Sequence, residues 1–287
     1  MNPKYPFQFI LAALIIASLS CSFANQSRFR KLEIGPLNTV TLSEPYPGTS
    51  AIQDVTLSMA VGELTLSGGA ETLIEGKMQY NVEGWKPNIE YKNNALTISQ
   101  EAEFPVNGFP GDDVVNIWDL KLGQTPMNLV LTADAYDATL NLSGLPIHSM
   151  VVQDGASNSV IRFDTLNPAE MQELTYQTGA SEITFLGLAH ANFAQMSFDG
   201  GVGEYTFDFA GDLQRDAVVN IYAGLSNVRI IVPEGMAARV AVDDGLRKIY
   251  ATGAWKVEGG KYANDGAGPL LTIVVDMGAG ELHLMNP

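Results

Sequence analysis

Five polar residues, Asp137, Asn158, Glu182, Glu204 and Asn227, recur at one place in a repeated phrase. Each stands third after the first residue of its copy (Asp134, Gly155, Gly179, Gly201 and Gly224), and Glu63 and Glu281 hold the same place in outlying copies. If the copies stack as parallel strands, equivalent residues lie about 4.8 Å apart, which brings Glu182 within about 5 Å of Glu204. Two carboxylates that close repel, and one pKa rises unless a cation sits between them. Oxygen donors of this kind suit calcium better than zinc. The plainer role is that acids and asparagines solvate a turn and accept bonds from its backbone N–H groups. Both readings stay open, and the column is the candidate cation or ligand ladder.

Other constellations offer less. Asp199-Gly-Gly-Val-Gly-Glu204 matches part of the calcium nonapeptide, but Tyr205 stands where the aspartate belongs and the motif occurs once. His148 and His190 follow similar corners with one repeat between them, two coils or about 9.6 Å apart, too far to share a metal whose ligands lie about 2 Å from it. Trp85, Trp118 and Trp255 would stack on sugars if exposed, although such residues more often cap a core. Asp154, Asp164, Asp199 and Asp208 would be the carboxylates of a polysaccharide-cleaving β-helix, a remote alternative that needs a defined separation between two of them. Serine elbows, phosphate loops and paired zinc ligands are absent from the sequence, so neither catalysis nor a cofactor is expected.

The elements that must position the column are short strands. The first residues of successive phrases lie 21, 24, 22 and 23 residues apart from Asp134 to Gly224, with a final copy at Gly278. Ahead of the glycines run alternating segments such as Leu174-Thr-Tyr, Met196-Ser-Phe and Val219-Asn-Ile. Alternation of apolar and polar residues is the period of a half-buried strand. The sequence therefore predicts an all-β, right-handed parallel β-solenoid of about 22-residue coils with an N-terminal β cap. An antiparallel β meander or sandwich is the alternative, since the linkers are short enough for hairpins. Core candidates are Leu140, Leu142, Ile161, Phe163, Ile183, Phe185, Tyr205, Phe207, Val228 and Ile230.

Four regions follow: a signal peptide with a lipobox-like cysteine at 1–21, a tether at 22–50, an N-terminal β region at 51–126, and the repeats at 127–287 with an irregular insertion at 244–269. Lys4 precedes the apolar run Phe9–Leu19, whose length suits a signal h-region better than a membrane span. Cys21, the only cysteine, follows directly and is the expected lipidation site, with cleavage after Ala24 and secretion as the alternative. The expected location is extracytoplasmic and membrane-anchored. With 32 acidic residues against 16 basic ones, nucleic acid is not an expected partner.

Gly62-Glu-Leu-Thr-Leu-Ser-Gly-Gly-Ala, Tyr80-Asn-Val and Trp118-Asp-Leu resemble the bacterial toast-rack domain of unknown function. The C-terminal half, through Asp244–Pro269 and the final Leu271–Leu284, is similar to putative-adhesin domains and to the C-terminal domain of the cell-wall stress protein LiaF. The resemblance implies a repetitive β-domain on the outer face of a membrane, associated with envelope stress or adhesion, and no catalytic residues. The functional expectation is a non-enzymatic, lipid-anchored envelope module with a protein partner. Its alternative is an adhesin-like surface domain binding glycan or a divalent cation.

Overall fold

The computed structural model describes residues 34–48, 51–100, 113–243 and 245–287. The expected signal segment and Cys21 lie outside the described residues.

Among the described residues sixteen strands form one sheet. In chain order they are β1 (Ile34–Glu44), β2 (Gln53–Gly68), β3 (Ile74–Val82), β4 (Asn88–Lys92), β5 (Ala95–Ser99), β6 (Asn116–Leu122), β7 (Met127–Asn141) and β8 (Ile147–Arg162). There follow β9 (Met171–Leu186), β10 (Phe193–Asp208), β11 (Ala217–Ile231), β12 (Gly235–Val242), β13 (Leu246–Thr252), β14 (Lys256–Glu258), β15 (Lys261–Asn264) and β16 (Gly266–Met285). From β2 through β7, β8, β9, β10 and β11 to β16, every neighbour pairs in parallel. The antiparallel alternative therefore fails for the repeats. Antiparallel pairs occur at the two ends of the sheet, among β1, β3 and β6, between β4 and β5, and among β12, β15 and β14.

Each long strand is bent in the middle, and the sequence shows why. In β9, Leu174, Tyr176 and Thr178 are buried, then Gly179 and Ala180 are both exposed, then Ser181, Ile183 and Phe185 are buried. Two exposed residues in a row shift the phase of the alternation, so both arms turn their apolar sides to the same interior. Tyr176 and Phe185 meet edge to face with ring centroids 5.6 Å apart. On a straight strand nine residues would separate them by about 30 Å. Stacking adds the adjacent rung: Phe198 lies 5.0 Å from Phe207 across the interior, and Phe207 stacks on Phe185 at 5.5 Å.

From Gly155 to Gly224 the bend position is glycine, and the rungs approach closely there. A Cβ at Gly201 would stand 2.4 Å from the carbonyl oxygen of Gly179, and one at Gly224 would stand 2.5 Å from that of Gly201. All the core candidates named from the sequence are at most 1% exposed. At the other end of the rungs, corners are closed by buried asparagines. Asn167 donates to the carbonyls of Ile147 (2.8 Å) and Ala191 (3.1 Å), and Asn192 donates to those of Asn167 and Ala169. Buried backbone carbonyls that find no strand partner are thereby satisfied.

Two features depart from the expected regions. Ile34–Glu44 lies in the segment expected as a tether, yet it pairs antiparallel with β3 and buries Leu42. The prolines that suggested an extended linker flank the Thr39–Leu42 alternation instead of interrupting it. The insertion at 244–269 completes a rung: β12, which precedes it, pairs with the first arm of β16, and β13, inside it, pairs with the second arm. The last strand of the chain thus enters the sheet between β11 and the β12–β13 pair.

Candidate functional site

The polar column forms with the register that the repeat spacing demands. Glu63 pairs with Asp137, Asp137 with Asn158, Asn158 with Glu182, Glu182 with Glu204, Glu204 with Asn227, and Asn227 with Glu281. Asp137, Asn158, Glu182, Glu204 and Asn227 are exposed on the outer side of the second arms. Among the described residues none of those five makes an ion pair, and no three His, Cys, Asp or Glu side chains stand close enough to share a metal ion. The column is a solvated strip of negative charge.

Beside it, at the outside of the bends, runs an apolar column with the register Ala135, Ala156, Ala180, Val202, Leu225, Ala279. Val202 is 53% exposed and Leu225 48%. Tyr222, also largely exposed, lies just before the bend and is paired in register with Asp199 on one side and Asp276 on the other. An apolar patch rimmed by carboxylates results.

The remaining sequence candidates disperse. Asp154 faces the bend interior, Asp199 points outward, Asp164 meets Arg162 at 3.3 Å, and Asp208 accepts the Ala210 N–H at 2.9 Å. Trp85 and Trp118 are buried, so their faces are closed to sugars, and Trp255 is half-buried. The His190 ring lies 3.1 Å from the Phe163 carbonyl, and His283 stacks on Tyr250 at 4.9 Å.

Sequence reasoning missed a polar cluster inside the bend. The Asp154 carboxylate accepts the Tyr176 hydroxyl at 2.7 Å, the Ser157 hydroxyl at 3.1 Å, the Ser181 hydroxyl at 3.5 Å and the Thr178 hydroxyl. Thr178 and Ser181 also bond one another, and the Ser157 N–H donates to Ser181 Oγ at 2.9 Å. Close by, the Tyr136, Ser159 and Tyr205 hydroxyls are buried without a partner among the described residues. Burial first, and the Asp154 charge after it, raise the Tyr136 and Tyr205 phenols, the latter to about 12. Tyr176 rises through burial, then through Tyr136 and Asp154. The signal was present as Asp154, Ser157, Thr178 and Ser181 interrupting otherwise apolar columns, but it appears only once the phase shift at the bend is known.

Residues 48–172 match the family of the N-terminal domain of toast_rack, DUF2154. This stretch is similar to that domain, in line with the resemblance carried by the Gly62, Tyr80 and Trp118 motifs, all of which lie within it. Among solved structures, a putative cell adhesion protein from Clostridium sporogenes is similar at 19% identity and a TM-score of 0.49, covering 88% of this chain and 100% of its own. A putative adhesin from Bacteroides fragilis shares 11% identity at a TM-score of 0.33, covering 87% of this chain and 97% of its own. A putative lipid binding protein from Parabacteroides distasonis shares 10% identity at a TM-score of 0.36, over 86% and 97% respectively. No curated protein matches this chain.

Proposed function

We propose that the protein is a non-enzymatic interaction module of a bacterial cell envelope, anchored by a lipid on Cys21, that binds another envelope protein. Its repeats wind as a right-handed solenoid, the hand that parallel crossovers favour. The observation that carries the reading is the patch of Val202, Tyr222 and Leu225 bordered by Asp199, Glu204 and Asp276. Exposed apolar residues ringed by charge mark surfaces that dock on proteins. The negative rim selects a partner whose own apolar site is edged by lysine or arginine, because like charge disfavours wrong partners. An extended face of this kind needs no enclosed pocket and no catalytic group.

The test uses tagged, full-length protein cross-linked in native membranes, with the native chain beside a Val202→Lys/Leu225→Lys variant. Both positions are surface sites away from buried networks, so folding should change little. A stoichiometric envelope protein recovered with the native chain, and reduced at least tenfold with the variant, supports the reading. Equal recovery, or recovery of glycan alone, contradicts it. Labelling with a palmitate analogue, lost in Cys21→Ser, tests the anchor separately.

A second reading, a divalent cation on the outer column, draws on the register pairing of Glu182 with Glu204. If it holds, calcium raises the melting temperature of the native chain but not of Glu182→Gln/Glu204→Gln. Equal protection of both removes it.

A further inference from the structure

The Asp154 cluster is the place where the interior departs most from its surroundings. The columns next to it are built of side chains such as Val152, Ile161, Phe185 and Phe198, all fully buried. Within them the half-buried Asp154 carboxylate accepts hydrogen bonds from four hydroxyls. Among the described residues no lysine, arginine or histidine pairs with it. Four hydroxyls satisfy its hydrogen-bonding capacity, since a carboxylate offers about four acceptor positions. They do not neutralise its charge, and charges withdrawn from water are ordinarily paired or coordinated to a cation.

Three further oxygens complete the setting. The Tyr136 and Tyr205 phenols and the Ser159 hydroxyl are at most 5% exposed and, among the described residues, make no hydrogen bond of good geometry, although Tyr136 lies near enough to Ser159 and Tyr176 for their hydroxyls to influence it. An unsatisfied buried hydroxyl is unfavourable, and these three lie on the strands that carry the Asp154 cluster or on their neighbours. Tyr136 is paired in register with Ser157, whose hydroxyl bonds the Asp154 carboxylate, and the Asp154 charge helps raise both the Tyr136 and Tyr205 phenols. Hydroxyl hydrogens rotate, so each of these oxygens can turn a lone pair toward a positive ion instead of a proton toward the carboxylate.

We propose that the bend of β8 and β9 is a binding site for a single alkali-metal cation, held by the Asp154 carboxylate and the hydroxyl oxygens of Ser157, Tyr176, Thr178 and Ser181. The donors are all hard oxygens, which excludes a preference for soft or nitrogen-seeking metals. Only one of them carries charge. A singly charged ion is neutralised by it, whereas a divalent ion would leave a net positive charge in the interior. The site is distinct from the outer acidic column, which faces water on the other side of the same strands.

The test is thermal melting of the full-length protein at equal ionic strength in sodium, potassium, calcium and choline chlorides. The site predicts a melting temperature about 2–4 °C higher in sodium or potassium than in choline, the size of shift expected for modest saturation in a chain of this length. The difference disappears in Asp154→Asn and shrinks in Thr178→Val, which keeps the side-chain shape and removes one donor oxygen. Thr178→Val covers the case in which Asp154→Asn does not fold. Equal melting in sodium, potassium and choline overturns the proposal and assigns the orphaned hydroxyls to buried water. So does a shift that both variants retain, or one that calcium alone produces.

Discussion

Tyr205 places a phenol in the interior whose hydroxyl has no hydrogen-bond partner among the described residues. Its ring does the useful packing, meeting Phe198 at 4.7 Å, while the oxygen remains desolvated. Tyr205→Phe is therefore expected to leave the melting temperature unchanged or raise it slightly, and a fall of several degrees would show an unrecognised partner. The same residue gives a pH dependence. Its folded-state pKa is raised to about 12 and the unfolded value is about 10, so the folded chain holds the proton more tightly. The associated stability is complete below about pH 10 and is lost as pH climbs through about 12. Base titration of stability should fall less steeply in Tyr205→Phe over that window. Removing Phe198, which touches Tyr176, Phe185, Tyr205 and Phe207, is the severe case: Phe198→Ala should cost about 3–5 kcal/mol in denaturant melts. Side chains of both kinds were unequally legible. Phe185 and Phe207 could be assigned to the core from alternation alone, whereas the Asp154 cage could not, because its members change sides only through the bend.

At the scale of the strand, the bend is set by a column of glycines whose neighbours are backbone carbonyls. Gly201→Ala puts a methyl group 2.4 Å from the Gly179 oxygen, and a carbonyl within a ladder cannot move aside as a flexible side chain would. A loss of about 1–3 kcal/mol is expected, read as a lowered denaturant midpoint with an unchanged slope. Gly84→Ala, where no atom lies within 4 Å, serves as the tolerant control. The spacing of these glycines made the rungs and their register readable before any coordinates. It left β1 unread, because Pro36 lies inside, and Pro45 and Pro47 just beyond, a strand only eleven residues long. The β12–β13 rung also escaped notice. It bears no copy of the phrase, and its pairing with β16 is decided by contacts made only after the last strand has entered the sheet.

For the whole molecule, the outer face exists only because residues about 22 positions apart in sequence become neighbours across parallel strands. The acidic column, the apolar column at the bends and the internal cage all depend on that single fact of register. A meander with the same strands would scatter them. The decisive measurement is disulfide formation under mild oxidation in a Cys21→Ser background carrying Gln153→Cys and Gln177→Cys. These side chains are exposed, paired in register and 3.0 Å apart at their amides. Their Cα atoms should sit about 4.8 Å apart, within the range a disulfide spans. A control pair, Gln153→Cys with Thr175→Cys, is offset by two residues along the strand and should exceed about 7 Å. Near-complete oxidation of the first pair and little of the second is the predicted result. Failure of the first pair in folded protein, or equal oxidation of both, would contradict the parallel in-register stack and every site built upon it.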